Sequence, residues 1–248
     1  VALFFVIGQR AGAAEFVDDL GEKLQIDAVP ERVISLSPSN TELLFALGLG
    51  ERLVGVTEYC NYPSETDSIE KVAGFNTVNL EKIVVANPDF VLAIRGNDME
   101  SIRSLRELGI PVFSLDIQTL EQVVQSLHRL GRIFAVEKRA AELGEALSQR
   151  IDKVESRVAA LKQKPRVMWG FWGDPVFTAG ANTMIDNLFS LAGGDNMGRR
   201  ADGAWPQVGL ETIIMWAPEV LITTHIPGGR EKLASEIQHI QENIGFSI

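Results

Sequence analysis

The sequence predicts an α/β protein of two lobes joined by a helical connector. Three observations carry that reading: a block that recurs late in the chain, a strand–loop–helix pair that recurs upstream of it, and a proline-free amphipathic stretch between the copies. The block Asn79-Leu-Glu-Lys-Ile-Val-Val-Ala-Asn-Pro-Asp-Phe-Val-Leu92 returns as Gly209-Leu-Glu-Thr-Ile-Ile-Met-Trp-Ala-Pro-Glu-Val-Leu-Ile222. Leu80/Leu210, Glu81/Glu211, Ile83/Ile213, Pro88/Pro218 and Asp89/Glu219 coincide at an offset of 130. Each copy reads as a short helix stopped before proline, then a buried strand. An aromatic, Phe75 or Trp205, stands five residues ahead of each leucine.

Upstream, Arg32-Val-Ile-Ser-Leu36 leads into Thr41–Gly48, and Arg166-Val-Met-Trp169 leads into Thr183–Gly193 after a longer loop. Both read as strand, loop and helix, with glycine near the helix end. The lobes are expected at residues 15–118 and 165–248. The first continues through a helix near Met99–Leu108 and a strand at Pro111–Leu115. The second continues through a helix near Arg230–Asn243 and stops at Gly245-Phe-Ser-Ile248, where the repeat predicts a further strand. It therefore reads as cut short. Between them, Leu120 to Lys164 holds no proline, and its only glycines are Gly131 and Gly144. Apolar residues from Val136, Ala140, Leu143 and Leu147 to Leu161 recur at helical steps. A helix of ~25 residues spans roughly 38 Å, so residues 119–164 read as one stiff connector. The pattern is too short to insist on the alternative, a coiled coil.

Composition bounds the function. With 46% hydrophobic and 23% charged residues the chain is globular. Its 33 acidic against 23 basic residues leave a net charge of −10, which disfavours nucleic acid as a partner. One cysteine, Cys60, excludes an internal disulfide, a multi-cysteine zinc site and an all-protein iron–sulfur site. The apolar run Val1–Ile7, followed by the small residues up to Ala14, reads as the rear of a secretory signal cleaved after about Ala14. A buried first strand is the alternative. The run is shorter than the ~20 apolar residues of a membrane span, and no cysteine follows it to carry a lipid. The expectation is a soluble, exported protein.

No G-x-S-x-G, phosphate loop, H-E-x-x-H or G-x-G-x-x-G motif is present, and His128, His225 and His239 are scattered. No catalytic residue and no metal site are predicted. Ser35-Leu-Ser37-Pro-Ser39-Asn40 is a strand-to-helix turn that caps the helix or touches a ligand. Tyr59, Phe75, Phe177 and Trp205 lie in segments interrupted by glycine or proline that read as loops. In open α/β lobes ligands bind beyond the carboxyl ends of strands. Such rings either pack their loops or wall a flat cleft for a large, partly apolar ligand. Glu81 and Glu211 suit the first turn of a helix electrostatically. As a duplicated pair they also suit a two-fold symmetric partner bearing paired cations.

Several segments carry a family resemblance: Arg32-Val-Ile-Ser-Leu-Ser-Pro-Ser-Asn-Thr-Glu42, Val54-Gly-Val-Thr-Glu-Tyr-Cys-Asn-Tyr-Pro63, Asp89-Phe-Val-Leu-Ala-Ile-Arg-Gly-Asn97, Pro175-Val-Phe-Thr-Ala-Gly180 and Ala204-Trp-Pro-Gln-Val208. Over residues 16–240 the chain resembles the periplasmic solute-binding proteins of ABC importers, in the class with a rigid helical backbone that takes cobalamin, haem and ferric siderophores. The cobalamin-binding branch matches best. The resemblance implies two lobes with central, mostly parallel sheets, joined by one long helix, with the ligand cleft between them. It implies that Tyr59, Phe75, Phe177 and Trp205 line a corrinoid; Phe75 stands where the family's best-known member has a larger indole, and Arg95, a further candidate contact, follows Ile94, where that member has another tryptophan. It also implies that Glu81 and Glu211 dock onto arginines of a permease dimer that works with ATPase subunits. It implies a periplasmic monomer without enzymatic activity or cofactor, and it gives Cys60 no required role.

Overall fold

The computed structural model describes residues 14–74, 77–171 and 175–223, the side chain of Phe171 excepted. The segment expected to be a secretory remnant therefore lies outside the described residues except for Ala14, as do Phe75 and the helix expected near Arg230–Asn243. The chain divides into two compact units. One comprises residues up to Asp116 with Val124–Ala146, the other Ile117–Val123 and the residues from Leu147 onward.

The first unit opens with an antiparallel hairpin, β1 (Ala14–Val17) and β2 (Lys23–Ile26). Its sheet is wholly parallel and contains β3 (Val33–Ser35), β4 (Leu53–Thr57), β5 (Lys71–Ala73), β6 (Phe90–Ile94) and β7 (Val112–Leu115), in the order β5-β4-β3-β6-β7. The direction of winding reverses between β3 and β6, which is where an open α/β sheet leaves a crevice at its carboxyl edge. Helices α1 (Pro38–Ala46), α2 (Leu80–Ala86) and α3 (Met99–Glu107) connect the strands. Each starts on a side chain that accepts a backbone N–H: Ser37 from Asn40, Asn79 from Lys82 and Asp98 from Ser101.

Successive strand residues face opposite sides, and both sides are covered. Val91 and Ala93 of β6 pack with Ile83 of α2 and Ile102 and Leu105 of α3. Phe90 turns the other way, 6.4 Å from Phe113 and edge-on to Phe134 at 5.4 Å. The hairpin is tied to the end of β7 through its turn. Asp18 accepts the N–H of Ser114, and Arg129 grips the Asp19 carboxylate with both terminal nitrogens.

Residues 119–164 are not one helix but two, α4 (Leu120–Ile133) and α5 (Glu137–Val158). Ala135 is left-handed at φ 54°, and the N–H of Val136 closes onto the carbonyl of Gly131, so α4 ends in a Schellman-type turn. A Cβ on Gly131 would stand 2.5 Å from that of Ala140, and one on Gly144 would stand 3.1 Å from Nε2 of His128. The two glycines are thus where the helices fold back against each other.

The second unit contains β8 (Arg166–Phe171), β9 (Val176–Thr178), α6 (Met184–Leu191), β10 (Asp195–Asn196), β11 (Gln207–Val208), α7 (Leu210–Trp216) and β12 (Val220–Ile222). β10 and β12 flank β8 in parallel, whereas β9 pairs antiparallel with both β8 and β11. Its core gathers Met168, Val176, Met197, Val208, Ile213 and Trp216. The repeat is structural. Helices α2 and α7 both have seven residues and both end in a left-handed residue, Asn87 (φ 46°, ψ 59°) and Ala217 (φ 45°, ψ 58°). The copies differ in their strands. Phe90–Ala93 are fully buried, Val91 and Ala93 against α2 and α3, while Val220 and Ile222 of β12 are exposed. The segment corresponding to α3 lies at residues 224–248, outside the described residues.

Candidate functional site

In the first unit the candidate residues gather at the carboxyl edge of the sheet. Asn97 spans the point where the winding reverses: its Oδ1 accepts the N–H of Ile94 at the end of β6, and its Nδ2 donates to the carbonyl of Leu36 after β3. Asn40, buried in the first turn of α1, donates to the carbonyls of Leu92 and Ala93. The hydroxyls of Ser37 and Ser39 are 3.0 Å apart at the start of that helix. Ser37 is thus the cap that the turn sequence predicts.

Tyr59 follows β4, where the N–H of the same residue donates to Thr57 Oγ1 at 3.3 Å. Beneath it Cys60 is buried, with Sγ 3.1 Å from Thr57 Oγ1 and 3.2 Å from Thr41 Oγ1. Arg95 follows β6 directly and pairs with Asp116, beyond the end of the adjacent β7. Asp19 lies beside them. Burial alone raises its pKa, but the hydrogen bonds from Arg129 and the Asp116 N–H, with the charges of Arg129 and Arg95, outweigh burial and hold it below the usual value.

In the second unit Phe177 stands on a strand, while Trp205 lies, as the sequence suggests, in the bend that leads into β11. The sequence places Phe177 in a Gly/Pro-broken loop; it is the central residue of β9, opposite Phe171 of β8 and Gln207 of β11. Pro175 does not interrupt the strand because it precedes the paired residues, where no ladder N–H is required. Burial alternates along β9, with Val176 and Thr178 inward and Phe177 outward, and along β11 with the two residues before it, with Pro206 and Val208 inward and Trp205 and Gln207 outward. The pairing continues past β11, with the N–H of Thr178 bonded to the Pro206 carbonyl and that of Gly180 to the Ala204 carbonyl. A Cβ at Gly180 would meet the Gly203 carbonyl oxygen at 2.1 Å, so glycine is what lets the Trp205 segment lie so close.

Trp205 packs edge-on against Trp169 of β8, with ring centroids 5.9 Å apart. The sequence marks Trp169 only as a strand residue. Its signal was the parity it shares with Phe171, across from Phe177. Three of the four expected rings are accounted for, and each is open to solvent: Trp205 is 55% exposed, Tyr59 54% and Phe177 42%. Phe75 lies outside the described residues. Glu81 and Glu211 both occupy the first turn of their helices and are exposed.

A family model described as periplasmic binding protein matches residues 33–247. This chain belongs to the periplasmic binding protein family. A vitamin B12-binding protein of Photorhabdus laumondii is 36% identical to this family member over 217 residues, covering 86% of this chain and 78% of that one. Another vitamin B12-binding protein, from Yersinia pestis, is 35% identical over 195 residues, 78% of this chain and 69% of the relative. Among solved structures, the periplasmic vitamin B12 binding protein of Vibrio cholerae superposes with a TM-score of 0.77 at 28% identity, covering 87% of this chain and 84% of that one. The match runs through both units, so both α/β units of this binding protein are family structure. Among the described residues, no helix is long and apolar enough to cross a membrane.

Proposed function

We propose that this protein captures a corrinoid in the periplasm and delivers it, without catalysis, to the permease of an ABC importer. The observation that carries the reading is the set of outward-facing rings, above all Trp205 held edge-on by Trp169. A large aromatic left in water at such a site adds nothing to its own unit's core and is available to a flat apolar ligand. The relatives named as vitamin B12-binding support the choice of a corrinoid. On this reading Tyr59, Phe75, Phe177 and Trp205 contact the ligand. Arg95, already paired with Asp116, offers it the aliphatic stem of its side chain. Residues 15–118 and 165–248 are the two lobes, with 119–164 as the helical link. Glu81 and Glu211 meet cationic residues on the two halves of the permease, which works with its ATPase subunits. The protein acts as a monomer, and the corrinoid is cargo rather than a cofactor.

Spectrophotometric titration of the purified protein with cyanocobalamin, haemin and a ferric hydroxamate siderophore tests the proposal. Saturation by cyanocobalamin at one equivalent, with the other two binding more weakly, is expected. Saturation by haemin or the siderophore, with no corrinoid bound at micromolar concentration, would overturn it.

A further inference from the structure

We propose that the surface offered to the importer is an acid flanked by an apolar pair, used twice: Glu81 with Val84 and Val85, and Glu211 with Ile214 and Met215. This rests on the docking reading above and adds what holds the complex once it has formed.

Val84/Ile214 and Val85/Met215 stand at the same 130-residue offset as the two glutamates. On a helix, positions i, i+3 and i+4 share one face, so each glutamate and its two apolar neighbours make one patch. The inward side of each helix is already filled by Ile83 or Ile213, both fully buried. The patch is therefore the outward side of a helix that has completed its packing. Val85 is 80% exposed and Met215 74%, while Val84 and Ile214 are about half exposed.

Helix propensity does not explain Val84, Val85 and Ile214. Valine and isoleucine are among the weaker helix formers, and an exposed position rewards alanine, lysine or glutamate instead. The identities have changed between the copies, from Val to Ile and from Val to Met, but the apolar character has stayed. The neighbouring position has not kept its character: Lys82 is turned to Glu70 and the Lys71 carbonyl, and its counterpart is Thr212. Among the described residues, neither Glu81 nor Glu211 forms an ion pair.

What fits this arrangement is a partner that presents an arginine or lysine beside an apolar hollow, in two copies. A permease built from two identical subunits has that character. The acids and the apolar pairs then act on different steps. Glu81 and Glu211, within a chain of net charge −10, steer the encounter and lose effect as salt rises. The apolar pairs set how long the complex lasts, with little salt dependence.

The test uses the full-length protein, loaded with cyanocobalamin, over the permease–ATPase complex of its own cell held in nanodiscs on a sensor surface. Val85→Ser/Met215→Ser is expected to dissociate at least tenfold faster at both low and high salt, with the association rate within twofold of wild type. Its corrinoid affinity and thermal midpoint should match wild type, which separates a docking defect from misfolding. Glu81→Gln/Glu211→Gln is expected to associate more slowly at low salt and to converge on wild type at high salt. Dissociation of the double-serine variant at the wild-type rate would overturn the apolar patch alone. Absence of wild-type binding would overturn the docking reading with it.

Discussion

Arg166 donates from Nε to the carbonyl oxygen of Ala217 at 2.6 Å, closing the end of α7 from the first residue of β8. The Glu219 carboxylate accepts the N–H of Arg166 at 2.8 Å, and the Glu219 N–H returns to the Arg166 carbonyl at 2.8 Å. The first unit repeats the arrangement. Arg32 reaches the carbonyls of Ala86 and Asn87, and Asp89 receives the Arg32 N–H. Both arginines satisfy helix-end carbonyls that a left-handed cap leaves open. Replacing Arg166 with Met should cost about 1 kcal/mol, and Arg32→Met somewhat more because it frees two carbonyls. Hydrogen exchange should rise locally, across residues 210–222 in the first case and 80–92 in the second. A spread across the whole chain would contradict the local clasp.

Trp205→Ala should weaken corrinoid binding by roughly 2–4 kcal/mol, as for a buried anchor in an interface. Trp169→Ala should cost less, about 1 kcal/mol, because Trp169 acts by holding the Trp205 ring. Calorimetric titration with cyanocobalamin gives both values. A larger loss at Trp169 would reverse the two roles.

Gly131→Ala should destabilise the first unit by about 1–3 kcal/mol, because the added methyl collides with Ala140 where α4 crosses α5. Adding Ala140→Gly to the same protein should recover most of the loss. Thermal unfolding of the single and double variants reads it directly. Failure of the second change to rescue the first would mean that the crossing adjusts elsewhere.

Asp186 couples the second unit to acid. Burial alone raises its carboxyl, but hydrogen bonds from Arg199 and Asn196, the Arg199 charge and the Asn182 N–H together hold it below the usual range. A carboxylate lowered on folding contributes stability that is complete above its unfolded value of about 3.9 and is lost as pH falls through the folded value. Asp186→Asn should therefore lower stability by about 1–3 kcal/mol at neutral pH and flatten its decline below about pH 4. Urea unfolding at pH 7, 5 and 3 measures both. An acid limb as steep as that of wild type would place the linkage at other carboxylates.

Much of the fold was legible because its signals are local. Phe90–Ile94 reads as a strand from an apolar run after proline, and the stretch near Met99–Leu108 as the helix that follows it. The break between α4 and α5 was not legible, since Phe134, Ala135 and Val136 include neither glycine nor proline. The signal lay in Gly131 and Gly144, which look like helix weaknesses until a second helix is set against them. Phe177 was misplaced because three residues are too few to show an alternation. Its pairing depends on Gln207, thirty positions away. The Arg95–Asp116 pair likewise follows only once β6 and β7 lie side by side.

Cys60 is the chain's single cysteine and is 2% exposed, its sulfur enclosed by two threonine hydroxyls. A thiol shut away in this manner reacts slowly with maleimides and disulfide reagents while the first unit stays closed. The wild-type background is therefore already silent to thiol chemistry. A cysteine introduced at Val85 or Met215 could carry a fluorophore or spin label at one chosen position, with no need to remove the native sulfur first. Any slow modification that does reach Cys60 then becomes a clock for opening of the first unit, read from the same sample.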